Sequence, residues 1–232
     1  MITRDFMVVG GFHNGYVPKL KSAVTQPVFA GANIAVRKEV VAEIGMFDNA
    51  CITREDADFS LRVAKTRWLI FHDTRAVVRH RFRSNLPGLL RQWFNYGRHH
   101  AIVLAKHANP GIELFARTGA SHGMMSFPIP FPFRVFVPLN FFNFFHGALA
   151  ATAAAATLQW NSAAIFFSIL SLLMGTLHFL IPLPRRDPCR WLGFLVIRYL
   201  LNWAFILGGL IGGLPLGMIN IEPAHDRNGL PD

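Results

Sequence analysis

The sequence predicts an α/β domain followed by an α-helical membrane domain of about three helices, and three observations carry that expectation. Charge is unevenly spread: residues 1–126 hold 17 Lys+Arg and 9 Asp+Glu, whereas residues 127–232 hold 6 and 4, so most of the net charge of +10 sits in the first part. The chain is 52% hydrophobic and only 16% charged, against ~25% charged in ordinary soluble domains. Three uncharged runs in the second part approach the ~20 residues that a hydrocarbon core demands. The composition excludes disordered, collagen-like and disulfide-framed chains. Cys51 and Cys189 lie in different parts with no metal-finger spacing around either.

In the first part, residues 37–44 (RKEVVAEI) form a short amphipathic run closed by Gly45, a helix with its usual stop. A loop, GMFDNA, follows. Thr53-Arg54-Glu55-Asp56 has capping-box spacing, and Ala57, Leu61 and Ala64 line one face behind it, so Glu55 and Asp56 fall in the first turn of a second helix. Trp68–Phe71 and Ala76–Val78 are β-prone runs around Asp73-Thr74 and lead into Arg79-His80-Arg81-Phe82-Arg83. Asn85 and Pro87 then open a long helix, with Leu89, Leu90, Trp93, Tyr96, His100 and Leu104 at helical spacing. The phosphate-binding loop, the dinucleotide fingerprint and the HExxH motif are all absent. His99 and His100 point about 100° apart on a helix and do not readily share one ion.

Residues 127–138 carry Pro128, Pro130, Pro132 and Pro138, which forbid a regular helix, among Phe127, Phe131, Phe133 and Phe136. This connector reads equally well as a chain in the membrane interface or as one packed on the first domain. The apolar runs Leu139–Leu158, Ala163–Leu183 and Tyr199–Ile219 are the expected spans within a membrane domain of residues 139–219, and residues 220–232 form a tail. Positive charge gathers on cytoplasmic loops. Arg185, Arg186, Arg190 and Arg198 follow the second run, the connector after the first is uncharged, and the tail is acidic. The first domain, without an apolar run of signal-peptide length at its start, is therefore expected in the cytoplasm at the inner membrane of a multi-pass protein, and the tail outside.

Five segments then carry a resemblance: Gly31-Ala32-Asn33-Ile34-Ala35-Val36-Arg37, Ile44 to Asp48, Glu55-Asp56-Ala57-Asp58-Phe59-Ser60-Leu61-Arg62, His80, and Gln92-Trp93 with Tyr96-Gly97-Arg98. In order and spacing, over residues 28–105, they resemble the acceptor half of family 2 glycosyltransferases of the GT-A fold. The resemblance implies a partial GT-A domain at residues 1–126, a nucleotide-sugar donor, a lipid-linked or saccharide acceptor, and inverting transfer. It implies Asp56 as the base that deprotonates the acceptor hydroxyl, with Glu55 the second candidate; Gly31, Asn33, Asp58, Gln92, Trp93 and Arg81 are the substrate-binding candidates. The family uses a divalent cation, Mg or Mn, and His80 is the one candidate ligand here, because the Rossmann-like half with its Asp-x-Asp motif is missing ahead of Gly31. Truncation, a split gene or a late start codon would each leave the chain so, and a split gene implies a separate chain supplying that half as a partner. Asn95-Tyr96 stand where processive members carry Arg-Trp.

Bland readings stand beside these. Thr-x-x-Asp before an apolar face is what any capping box looks like. His80 also reads as a histidine of a basic loop, and the alternating arginines 79, 81 and 83 as a face for diphosphate, anionic lipid or water. The competing function is a non-catalytic membrane protein whose basic domain binds anionic lipid or a partner subunit. Nucleic acid is not an expected partner, since no binding module accompanies the basic run.

Overall fold

The structure, a computed structural model, describes residues 6–8, 15–16, 19, 23, 28–29, 31–73, 75–76, 78–81, 83, 85–118, 123–180 and 188–223. In chain order they form β1 (Phe6–Val8), β2 (Gly15–Tyr16), α1 (Lys38–Ile44), α2 (Glu55–Ala64), β3 (Phe71–His72), β4 (Arg79–Arg81), α3 (Leu86–His107), β5 (Gly111–Thr118), β6 (Gly123–Ile129), β7 (Arg134–Pro138), α4 (Phe141–Thr157), α5 (Asn161–Leu180), α6 (Pro188–Gly213) and β8 (Met218–Asn220). The chain is thus mixed α/β, with six α-helices among the described residues. Contacts divide it into two compact units, residues 1–137 with 200–232, and residues 138–199.

In the first unit, α3 is the central element. Its start follows the sequence signals: the Asn85 side chain accepts the Gly88 N–H at 2.7 Å, and Pro87 sits in the first turn, where its missing donor costs nothing. One face of α3 places Val103 against Cys51, Ala57 and Leu61 of the α2 region. Another places Ala101 and Leu104 against Phe115, Phe136 and Met218 of the sheet. Behind α2, Phe59 and Val63 pack with Val40 of α1 and with Trp68 and Ile70. Of the two β-prone runs around Asp73, only Phe71 enters a strand: β3 is Phe71–His72 and β4 begins after the second run, at Arg79, and the two do not pair with each other. β3 pairs antiparallel with β2 and β4 antiparallel with β1, on either side of a turn closed by the Ala76 N–H to the Asp73 carbonyl.

The proline-rich connector supplies strands. The larger sheet has the order β6-β5-β7-β8, with β5 and β6 antiparallel and β7 and β8 parallel. A parallel pair needs a long crossover, and here residues 139–217 provide it. This trims the expected third span at its far end, while the helix ahead of it, at Leu192–Leu216, stays long and apolar enough to cross a membrane. Ile219 is a strand residue opposite Val135, and the second half of α6 packs on α3. A Cβ on Gly97 would run into the Phe205 carbonyl oxygen, one on Gly208 into that of Phe94, and one on Gly212 into that of Arg98. Small residues admit such close backbone approach in soluble and membrane proteins alike. Apolar composition therefore could not separate a lipid-facing from a protein-facing helix.

In the second unit, α4 and α5 pack as an antiparallel pair, with Gly175 facing the Phe145 ring and the Ser171 hydroxyl donating to the Phe145 carbonyl at 3.4 Å. Phe142, His146, His178 and Tyr199 form an aromatic cluster, in which His146 Nε2 lies 3.0 Å from the Tyr199 hydroxyl. On α5, Ile165, Phe166, Ile169, Leu172 and Leu173 are all exposed, which at helical spacing makes one apolar stripe. Two helices are long and apolar enough to cross a membrane, at Asn161–His178 and Leu192–Leu216. The first expected span is α4, whose 17 residues make it too short to join that pair.

Candidate functional site

The amino end of α2 is built by an unusual residue. Arg54 is its N-cap with φ +69° and ψ +17°, a left-handed conformation uncommon outside glycine, and it makes no side-chain cap. Thr53, which the capping-box spacing favours for that role, lies instead with its hydroxyl 2.8 Å from His99 Nδ1. The cap function passes to Asp56, whose Oδ1 accepts the Ala57 N–H at 2.7 Å while Oδ2 accepts the Gly31 N–H at 2.7 Å. One turn on, the Ser60 hydroxyl accepts the Phe29 N–H at 3.2 Å and donates to the Asp56 carbonyl at 2.7 Å. Residues 29 and 31 are thus both tied to α2, and two segments of the resemblance, the one at Gly31 and the one at Asp56, meet.

Asp58 has a different position. Its side chain is wholly buried, and it receives Arg62 Nε, Lys106 Nζ and His107 Nε2, each at 2.8 Å. Arg62 also donates to the Ile44 and Met46 carbonyls at 2.6 Å, and Lys106 to Asp48 at 2.8 Å. Burial alone would raise the Asp58 carboxyl, but the hydrogen bonds from Lys106, His107 and Arg62 outweigh it and bring it down to about 2. The same bond from Lys106 lowers Asp48. Expected to touch substrate, Asp58 instead fastens the Ile44–Asp48 loop to α2 and α3, and with no exposed surface it offers a sugar nothing to bind.

Two histidines on one face of α3 join α2 to carboxylates. Arg54 Nη2 donates to His100 Nδ1 at 2.7 Å, and His100 Nε2 lies 2.7 Å from Glu222 Oε2 beyond β8. Seven residues on, Lys65 Nζ donates to His107 Nδ1 at 3.0 Å, and His107 Nε2 meets Asp58. Arg and Lys carry donors only, so each Nδ1 is an acceptor and each Nε2 bears the proton it gives to a carboxylate. Burial lowers both histidines, and a neighbouring cation adds to it in each case, Arg54 beside His100 and Lys65 beside His107. Both stay neutral, and the residues just before and just after α2 are clamped to α3. Glu222, placed outside the membrane by the acidic tail, here belongs to the first unit.

The other candidates scatter. Asn33 Nδ2 donates to the Ala76 carbonyl at 2.9 Å. Gln92 Nε2 donates to the Tyr96 hydroxyl at 2.7 Å, and the Trp93 ring meets Tyr96 and Phe205, so their described bonds and ring contacts run to α3 and α6 rather than to α2. Glu55 is half-buried beside Asp56. His80 and Arg81 lie on β4 opposite Met7 and Phe6, and their side chains lie outside the described residues. Among the described residues no three His, Cys, Asp or Glu side chains gather as a metal ion requires. Sequence reasoning missed Arg54, Lys65, His107 and Glu222; the available signal was the spacing of His100 and His107, two turns apart on one helix face. Compared with known proteins, the chain matches no family model, no curated protein and no solved structure.

Proposed function

We propose that the chain is the acceptor-side part of a membrane-bound glycosyltransferase, moving a sugar from a nucleotide-sugar donor to a lipid-linked or saccharide acceptor at the cytoplasmic face of the inner membrane, with inversion. What supports the reading is the carboxylate of Asp56, half-buried at the start of α2 and fixed by two backbone N–H groups, one of them from Gly31. A general base must be held where the attacking hydroxyl will lie. Two N–H donors fix the carboxylate plane and leave lone pairs to take the acceptor's proton, as the sugar's anomeric carbon is attacked from the face opposite the nucleoside diphosphate. The donor-binding half lies outside the five matching segments, on the same polypeptide or on another. The resemblance implies a divalent cation whose main ligands would come with that donor-binding half; among the described residues no three His, Cys, Asp or Glu side chains gather.

A second reading, a non-catalytic membrane protein, draws on the same geometry, since a carboxylate with both oxygens engaged also serves as a helix cap. Asp56→Asn separates the two. Co-expressed with a donor-binding half, this variant should lose about 10²- to 10⁴-fold in transfer from a labelled nucleotide sugar if Asp56 is the base. Because an amide accepts only one of the two N–H bonds, stability should also fall by about 1 kcal/mol. A capping role alone gives that stability loss with turnover within about threefold of the parent.

A further inference from the structure

We propose that Glu222, His100 and Arg54 form a buried relay that sets the position of the Asp56 carboxylate, so that the segment after the last helix completes the candidate site; this rests on the reading of Asp56 as the base. Arg54 occupies a backbone conformation that nothing local rewards: it makes no cap, and it is not a glycine. Its side chain turns inward, where Nη2 is held by His100. That histidine is held in turn by Glu222, whose side chain is as buried as its own. The tautomer follows from the donors. The guanidinium cannot accept, so Nδ1 is bare and the proton on Nε2 points at Glu222. A neutral ring thus separates a buried cation from a buried anion. Glu222 is itself aimed by its N–H, which donates to Asn220 Oδ1 at 3.0 Å, and Asn220 lies in β8 opposite Phe136. Arg54 precedes Asp56 by two residues, its carbonyl accepts the Asp58 N–H at 3.0 Å, and its guanidinium feels the charge of Asp56. The turn that aims Asp56 at Gly31 is therefore fixed from beneath by a chain of contacts ending 122 residues from His100. Arg54, His100 and Glu222 are positioning residues, since their described bonds run to one another.

Replacement of the ring tests the relay. His100→Leu removes both bonds, whereas His100→Gln offers a carbonyl to Arg54 and an amide N–H to Glu222 in the same order. In the full chain in lipid nanodiscs, amide hydrogen exchange at Gly31 and Ala57 should speed up about tenfold in His100→Leu relative to the α1 amides Val41 and Gly45, and return to within about threefold of the parent in His100→Gln. Ring ¹⁵N spectra of the parent should show His100 protonated at Nε2 and bare at Nδ1. With the donor half supplied, His100→Leu should lower kcat about tenfold or more at unchanged KM for the nucleotide sugar, and His100→Gln should restore it. Unchanged exchange at Gly31 in His100→Leu, the opposite tautomer, or no rescue by Gln would each overturn the relay. If His100→Leu does not fold, Glu222→Gln, which keeps an acceptor but removes the charge opposite Arg54, should accelerate the same two amides about threefold, and no change there overturns the relay as well. If the exchange pattern appears while Asp56→Asn leaves transfer intact, the relay stands and the assignment of Asp56 as base falls.

Discussion

The Gly31 N–H and Asp56 Oδ2 lie 2.7 Å apart across 25 residues of sequence, and the approach is close enough that a side chain at residue 31 would be felt. A Cβ there would stand 3.3 Å from the Asp56 Cβ. Because Asp56 is fixed in a helical turn, the Gly31 segment must yield. Gly31→Ala should therefore lengthen this bond, lowering stability by about 1 kcal/mol and transfer by a larger factor than that loss accounts for. Denaturant unfolding and turnover on the same preparations check it.

Removing charge from Asp58 should be far more damaging to the fold. Asp58→Asn leaves Arg62, Lys106 and His107 facing a neutral amide in a closed site, and breaking a buried network in this way costs about 3–5 kcal/mol. Asp48→Asn removes one exposed partner of Lys106 and should have a much smaller effect on the melting temperature.

Acid should unfold the first unit in two stages. His100 and His107 are depressed in the fold from 6.5, so the unfolded chain binds protons first, and their contribution, complete above about pH 6.5, is lost as pH falls below it. Asp58, at about 2 in the fold against ~3.9 unfolded, contributes fully above about pH 4 and loses that contribution as pH falls toward 2. Stability measured against pH should show both steps, and His100→Gln should reduce the upper one.

Two glycines in helices should respond in opposite directions. Gly97→Ala places a methyl against the Phe205 carbonyl and must push α6 away from α3, whereas a Cβ on Gly147 in α4 meets nothing within 4 Å. Gly147→Ala should stabilise by about 0.5–1 kcal/mol through helix propensity, and Gly97→Ala should destabilise by several times that amount. Melting temperatures of the two variants in one detergent decide it.

The exposed stripe on α5 and the pairing of β8 with β7 give a joint expectation for the membrane. Leu172→Asp adds a charge worth about 2.5–3.5 kcal/mol against insertion at a helix centre and should shift the protein out of the membrane fraction. Reporters fused ahead of Met1 and after Asp232 should fall on the same side, because Met218, Ile219 and Asn220 pair with Arg134, Val135 and Phe136.

Local signals carried most of the helices. Gly45 closes α1, Asn85 and Pro87 open α3, and the apolar face of Ala57 and Leu61 is buried as its period requires. Long-range partners were not legible. His100 reads as one more residue on an apolar face until Glu222 is brought to it, and Asp58 resembles a site carboxylate until Arg62, Lys106 and His107 close around it. The last apolar run hid its destination for a related reason: glycines at 208 and 212 score as neutral in hydropathy, yet they are what lets α6 touch the backbone of α3.

The discontinuity of the first unit has a consequence for biosynthesis. Its last strand and Glu222 are made only after residues 138–199 have been synthesised. At about 5–20 residues per second, His100 waits roughly 6–24 s for its carboxylate. During that interval the α4–α5 pair is already free to reach lipid, while Arg54 is still unanchored. The apolar α4–α5 pair is thus made before the domain that carries Asp56 is complete, and a chain stalled before Glu222 would hold that pair while His100 lacked its carboxylate.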